Sequence, residues 1–361
     1  MAKPPGLKGT LFTEEEKEIA RRENKLLFVS LMTDPVCNLA CPDCYVGEKK
    51  ITGKELSLAE RKKVIDQAVE LGAKTLRIAG AGEPLIDKNF WDTTNYAIQK
   101  GLHVFLFTNG TEINDDRRAR AIVQNKGITA VLKFSGKPEI MDLLTGNKGY
   151  FLEEKFVECD GMFIPKYLVL LIEAGMNAKS TGGSRLGIEF LLRKSNYGYC
   201  TDIFRWARHN NIVPYVEQNL EAGLALSNNW YLEERVADSD AFALSRRLSE
   251  IDEKEFGFKW KPGLPYMVGG ICENEVSGCK KYTYNIVVQA DGTCTPCYAA
   301  YFNLGNVRDR PLKEILRHPI RRQLLEAAEI NCLCRVYNRT WPEPKTPEEL
   351  DQEKDYQPNT W

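Results

Sequence analysis

The chain has 361 residues, 43% hydrophobic and 27% charged, a composition ordinary for a globular protein and long enough for one large unit and a smaller one. A formal net charge of -1 leaves no basic excess for nucleic acid or an anionic membrane surface, and points to a small or neutral partner. The longest apolar run, Tyr167 to Ile172, is too short to span a bilayer, and the first residues lack the apolar core of a signal peptide, so a cytoplasmic protein is expected.

In chain order, residues 1–25 read as a loose arm to residue 12 and then a short charged helix opened by a capping box, Thr13-x-x-Glu16. Leu26 to Met32 is a compact apolar run that predicts a buried strand. A second capping box, Ser57-x-x-Glu60, opens a helix whose Val64, Ile65, Ala68, Val69 and Leu71 recur at helical spacing, and Gly72 ends it. The alternation continues with strand 75–79, helix 88–100, strand 104–107, helix 114–124 and strand 130–134. A long helical stretch to Ala174, strand 186–192, helix 199–210 and strand 213–217 follow. Strands alternating with helices predict an α/β fold with a parallel sheet. Six of them make an open partial (β/α)6 barrel over residues 26–225, with the chemistry at the carboxyl ends of the strands. Residues 226–270 read as a helical bridging segment, 271–340 as a small hairpin-plus-helix unit rich in cysteine, and 341–361 as an extended tail.

Eleven cysteines are many for such a chain, and their positions say more than their number. Three fall in Cys37-x3-Cys41-x2-Cys44-Tyr45, directly after the first predicted strand. Three thiolates on one short loop can ligate three irons of a cubane and leave the fourth open to a small molecule. The alternative is a zinc knuckle, but the chain has three histidines in all and none lies close by.

This pattern resembles the signature of the radical S-adenosylmethionine (SAM) superfamily, over roughly residues 26–225. The resemblance implies a [4Fe–4S] cluster on Cys37, Cys41 and Cys44, whose open iron is chelated by the amino and carboxylate groups of SAM. It also implies reductive cleavage of SAM to a 5′-deoxyadenosyl radical that takes hydrogen from a substrate. Other positions match the family one by one. Gly80-Ala81-Gly82-Glu83-Pro84 resembles its GGE-type element for the SAM amino group, with alanine where many members have a second glycine. The glycines allow close backbone approach, and a carboxylate suits an ammonium. Asn109, in Thr108-Asn109-Gly110, ends the third strand, and Ser135, in Lys133-Phe134-Ser135-Gly136, ends the fourth. Arg193 ends the fifth, where related enzymes often set an arginine on the SAM carboxylate, and Tyr45 matches the aromatic whose backbone lies near the adenine.

The remaining clustered cysteines are Cys272, Cys279, Cys294, Cys297, Cys332 and Cys334, with an Asp291-Gly292 turn that predicts a hairpin bringing Cys279 and Cys297 together. Pro296-Cys297 and Leu304-Gly305-Asn306 resemble the C-terminal extension of SPASM/Twitch radical SAM enzymes. Two fully ligated cubanes need more cysteines than this region holds, so one auxiliary [4Fe–4S] cluster is expected. Cys279, Cys297 and one or both of Cys332 and Cys334 are its best ligands by spacing, Cys272 is a rival, and Cys294 is a spare; a zinc ribbon is the alternative. Cys159 and Cys200 stand alone and read as buried apolar thiols, with hydrogen-atom donation to a product radical as the sharper alternative.

An auxiliary cluster near the substrate can ligate it or accept the electron left after hydrogen abstraction. The resemblance therefore implies a radical SAM oxidoreductase acting on a small polar metabolite, served by a flavodoxin- or ferredoxin-type reductant. A peptide maturase is the second reading, set back because residues 1–25 form an arm rather than a peptide-recognition domain. A non-catalytic iron–sulfur or zinc module is the third.

Overall fold

A computed structural model of the chain describes residues 4–46, 52–146, 149, 151–159, 161–179, 182–217, 223–227, 233–259, 283–298, 302–319 and 321. Its main sheet contains β1 (Phe28–Leu31), β2 (Thr75–Ile78), β3 (His103–Thr108), β4 (Ile128–Lys133), β7 (Leu186–Leu191) and β8 (Val213–Glu217), adjacent in that order and all parallel. These are the six strands the periodicity predicts. Two strands extend it: β9 (Asn285–Val288) pairs parallel with β1, and β10 (Cys294–Thr295) pairs antiparallel with β9. The C-terminal hairpin, turned at Gly292, thus continues the main sheet.

Helix α1 (Glu14–Arg22) precedes β1, and α2 (Leu58–Glu70), α3 (Phe90–Gln99), α4 (Asp116–Gln124), α5 (Pro138–Thr145), α6 (Lys166–Glu173) and α7 (Cys200–His209) lie between strands. Both capping boxes form: Thr13 with Glu16 at α1, and Ser57 with Glu60 at α2. The long helix expected up to Ala174 is divided. Gly146 ends α5 in the left-handed conformation, and a small hairpin, β5 (Phe156–Cys159) and β6 (Met162–Pro165), precedes α6. Apolar residues of that hairpin, Phe156 and Ile164, bury in the main core and blur the boundary between two helices. A helix at Asp238–Phe256 fills part of the expected bridging segment, whereas residues 260–270 lie outside the described residues. Among the described residues no helix is long and apolar enough to cross a membrane.

Strand alternation sorts the sheet into two faces. Leu76 and Ile78, Val104 and Leu106, Ala130 and Leu132, and Ile188 and Phe190 all join one large core beneath the helices. The opposite, inner face holds a smaller apolar floor of Leu7, Phe105 and Val131. Leu7 comes from the arm expected to be loose. It is tied down by Lys8 N–H to Ser184 O at 2.9 Å and by Thr75 Oγ1–H to Gly9 O at 2.7 Å. Beside and beyond the floor, the inner positions turn polar and charged: Ser30 and Arg77 level with Phe105, and Lys133, Glu189 and Glu217 further on.

Candidate active site

The loop after β1 carries Cys37, Cys41 and Cys44, each partly buried and outside any disulfide. Its path is set by its neighbours. Val36 O accepts the Glu83 N–H at 2.7 Å, and a Cβ on Gly82 would stand 1.9 Å from that same oxygen. Ala40 N–H donates to Thr145 O at 3.1 Å, and a Cβ on Gly146 would stand 2.1 Å from Ala40 O. Leu224 N–H reaches Cys44 O at 2.9 Å. Only glycine lets backbones approach this closely, so the loop is seated against the ends of β2, α5 and a short helix at Leu224–Ser227.

Two buried arginines tie the same loop by charge. Arg61 of α2 reaches Asp34 at 2.5 Å and Asp87 at 2.8 Å, and Asp34 N–H also donates to Asp87 at 3.0 Å. Asp34 enters the cysteine loop and Asp87 leaves the Gly80–Glu83 turn, so one guanidinium spans both loops. Arg193, 1% exposed, bonds Asp43 through Nε at 3.0 Å and again through its terminal nitrogen. Arg193 is thus a tie on the loop, its charge already met by Asp43.

Glu83 is 2% exposed and accepts from Thr108 Oγ1–H at 2.5 Å, Asn109 N–H at 2.8 Å and Leu85 N–H at 3.1 Å. Burial pushes its carboxyl up to about 7, against the pull of those donors. An ionised carboxylate offers about four acceptor positions, so one is left for a cation. Asn109 also donates from Nδ2 to Asn38 Oδ1 at 3.0 Å, linking Glu83 to the residue after Cys37. Tyr45 O–H donates to Gly80 O at 3.1 Å, and Pro84 is buried at the start of the next turn. Ser135 is wholly buried, its Oγ accepting the Leu191 N–H at 3.1 Å and its carbonyl accepting from Asn196 at 2.9 Å.

Sequence reasoning missed Lys133 and Glu189. Lys133 Nζ lies 3.8 Å from Cys41 Sγ. Burial works against its charge, but Cys41, Asp43 and Glu189 hold it protonated, above the ordinary lysine range. Glu189, in register with Lys133, is pushed up to about 7 by burial, with Lys133 opposing and Glu217 reinforcing. The signal was present in the alternation: Thr129, Val131 and Lys133 occupy the positions between the core residues Ile128, Ala130 and Leu132.

Three cysteines on one loop, with a cation beside one sulfur and a backbone N–H (Leu39) 3.4 Å from another, suit thiolate ligands. Among the described residues no three His, Cys, Asp or Glu side chains converge as on a single metal ion. A cubane takes each thiolate on a different iron, so a spread triad fits it.

Of the second set, Cys294 lies in the main core, where burial, with Asp291 adding to it, pushes its thiol up to about 12. Cys297 is partly buried. Cys272, Cys279, Cys332 and Cys334 lie outside the described residues, and so does the expected approach of Cys279 to Cys297. Cys200 is buried, as expected, but Cys159 is exposed, because it ends β5 at the tip of a surface hairpin.

Comparison with known proteins agrees with this architecture. The family model described as the radical SAM superfamily matches residues 33–134, and the SPASM model, an iron–sulfur cluster-binding domain, matches residues 279–336. The fold is shared with Streptococcus suis SuiB bound to its precursor peptide SuiA, at a TM-score of 0.63 and 15% identity over 91% of this chain and 77% of that one. It is also shared with anSMEcpe bound to AdoMet, at a TM-score of 0.55 and 14% identity over 83% of each chain. The chain carries a radical SAM domain on an α/β partial-barrel fold. It also carries a C-terminal SPASM-type domain, and the two domains imply SAM, a SAM-binding [4Fe–4S] cluster and auxiliary iron–sulfur ligation. Curated relatives include the Fe-coproporphyrin III synthase of Methanosarcina barkeri, 35% identical over 117 residues, and the mycofactocin maturase MftC of Mycolicibacterium smegmatis, 30% identical over 115 residues. Each match covers 32% of this chain and 29% of the relative, so the chain spans under a third of their length.

Proposed function

We propose that the protein is a radical SAM oxidoreductase that takes hydrogen from a small polar metabolite held against the inner face of the barrel. One observation carries this reading: the Cys37–Cys41–Cys44 loop meets Glu83 and Lys133 at the carboxyl ends of β2 and β4. Cys37, Cys41 and Cys44 would hold the cluster, which when bound supplies the electron that cleaves the sulfonium bond of SAM. Glu83 offers its remaining acceptor to the SAM ammonium, and Asn109 fixes that carboxylate against the cysteine loop. Lys133, with its charge held on, takes the SAM carboxylate in place of Arg193, which is committed to Asp43. Tyr45, Gly80 and Gly82 line the approach, and Ser135 braces the end of β4 against β7.

In the C-terminal domain Cys297 joins ligands drawn from Cys272, Cys279, Cys332 and Cys334 in one auxiliary [4Fe–4S] cluster, while Cys294 stays a thiol in the core. A flavodoxin- or ferredoxin-type donor supplies the electrons. The charged inner face supports a polar substrate, and the likeness to an Fe-coproporphyrin III synthase favours a small one. A peptide substrate is the second reading, favoured by the likeness to a mycofactocin maturase.

The test is a transfer of label. Reconstituted enzyme is given SAM, dithionite and either a perdeuterated metabolite fraction or a perdeuterated peptide fraction. Deuterium in 5′-deoxyadenosine from the metabolite fraction is the expected result, and label from the peptide fraction alone overturns the substrate class.

A further inference from the structure

Among the described residues, the inner face carries a cation, Arg77, that is ion-paired neither with the cysteine loop nor with a carboxylate. Arg77 of β2 stands in register with Ser30 of β1 and Phe105 of β3, so the three project from the same face. Its guanidinium lies 4.6 Å from the Phe28 ring centroid and 5.9 Å from that of Phe105. Aromatic faces attract a cation but accept none of the guanidinium's N–H groups in hydrogen bonds of ordinary strength. Nε is buried without a hydrogen-bond partner, and among the described residues Arg77 has no carboxylate partner.

Tyr298, just past β10, brings a second donor to the same place. Its hydroxyl is buried close to Ser30 and Arg77, but makes no hydrogen bond of ordinary geometry with either. A buried donor left unmet is destabilising, and here two lie together. Across the same face Lys133 is offset by Glu189, whereas among the described residues no carboxylate forms an ion pair with Arg77. The pair is also close to the site. The Tyr298 ring meets Tyr45 edge-on at 5.9 Å, and Tyr45 follows Cys44 and bonds Gly80.

We propose that Arg77 and Tyr298 form an anion subsite that anchors a carboxylate of the substrate. The guanidinium fork matches a carboxylate bidentately, and the phenol supplies a third bond to the same group. One cation and one neutral donor suit a monoanion better than a phosphate dianion. The assignment names the substrate class and rests on the proposed function, because it takes the inner face as the substrate's seat.

The probe is propionate, observed by saturation-transfer NMR on reconstituted full-length enzyme with SAM present to fill its own carboxylate site. Wild type is expected to bind it. Arg77→Met should weaken binding at least about tenfold, Arg77→Lys less, and Tyr298→Phe about threefold, in line with the loss of one to three bonds to a charged group. Inorganic phosphate should compete poorly. Iron content and visible absorption report whether each variant is folded, and Tyr298→Phe carries the test if Arg77→Met is not. Unchanged binding in the folded variants, or equal displacement by phosphate, overturns the subsite. Failure to form 5′-deoxyadenosine while propionate still binds would count against the function instead, so the two outcomes are separable.

Discussion

Glu83 carries the clearest chemical expectation of any single residue. Without a cation nearby it keeps its proton to about pH 7, against an ordinary 4.5. The sign follows from linkage. Its protonated form favours folding, that contribution is complete below about 4.5, and it is lost as pH rises through 7. A bound ammonium reverses the preference by taking the ionised form. SAM affinity should therefore fall about tenfold per pH unit below roughly pH 7, as measured by equilibrium titration. Glu83→Gln should bind more weakly and lose this slope, and a flat wild-type profile would count against the assignment. Sequence reasoning singled out Glu83, Asn109 and the three cysteines because each sits in a short local motif. It did not show that Arg193 is matched by Asp43, 150 residues away in the chain, since such a pairing leaves no local mark. Lys133 was in view but unassigned, because strand alternation tells which face a residue takes and not what it meets there.

The cysteine loop has little regular structure of its own and takes its shape from the elements around it. Arg61 is its main brace, joining Asp34 and Asp87. Removing one partner of a buried ion pair leaves charge unmatched and typically costs about 3–5 kcal/mol. Arg61→Met should lower stability by that order in urea unfolding, and a loss under about 1 kcal/mol would mean the brace is dispensable. Gly82→Ala makes a sharper demand, because the added Cβ meets Val36 O and must push the cysteine loop away. Iron bound after reconstitution should drop severalfold, and full iron loading would show that the loop yields at little cost. Strands and helices were legible wherever period and caps agreed, as at Ser57–Glu60 and Gly72. The stretch before α6 was misread because a short hairpin with buried Phe156 and Ile164 looks, by apolar content alone, like more helix.

At the scale of the whole molecule, the sheet joins two parts that the sequence presents as separate. β9 lies in register with β1, Phe28 opposite Asn285 and Leu31 opposite Val288, so the strand that leads into the cysteine loop is flanked by the C-terminal hairpin. Parallel pairing between segments so far apart has no sequence signature. Without it the expected hairpin could only be read as a unit beside the barrel. Its consequence is that Tyr298 reaches Tyr45 and the inner face from the SPASM-matched region. The account as a whole stands on an open iron at Cys37, Cys41 and Cys44. Its most direct test is 5′-deoxyadenosine formation by anaerobically reconstituted enzyme with SAM and dithionite. Wild type should form it and Cys41→Ala should form none, whereas undiminished formation by Cys41→Ala would contradict the account.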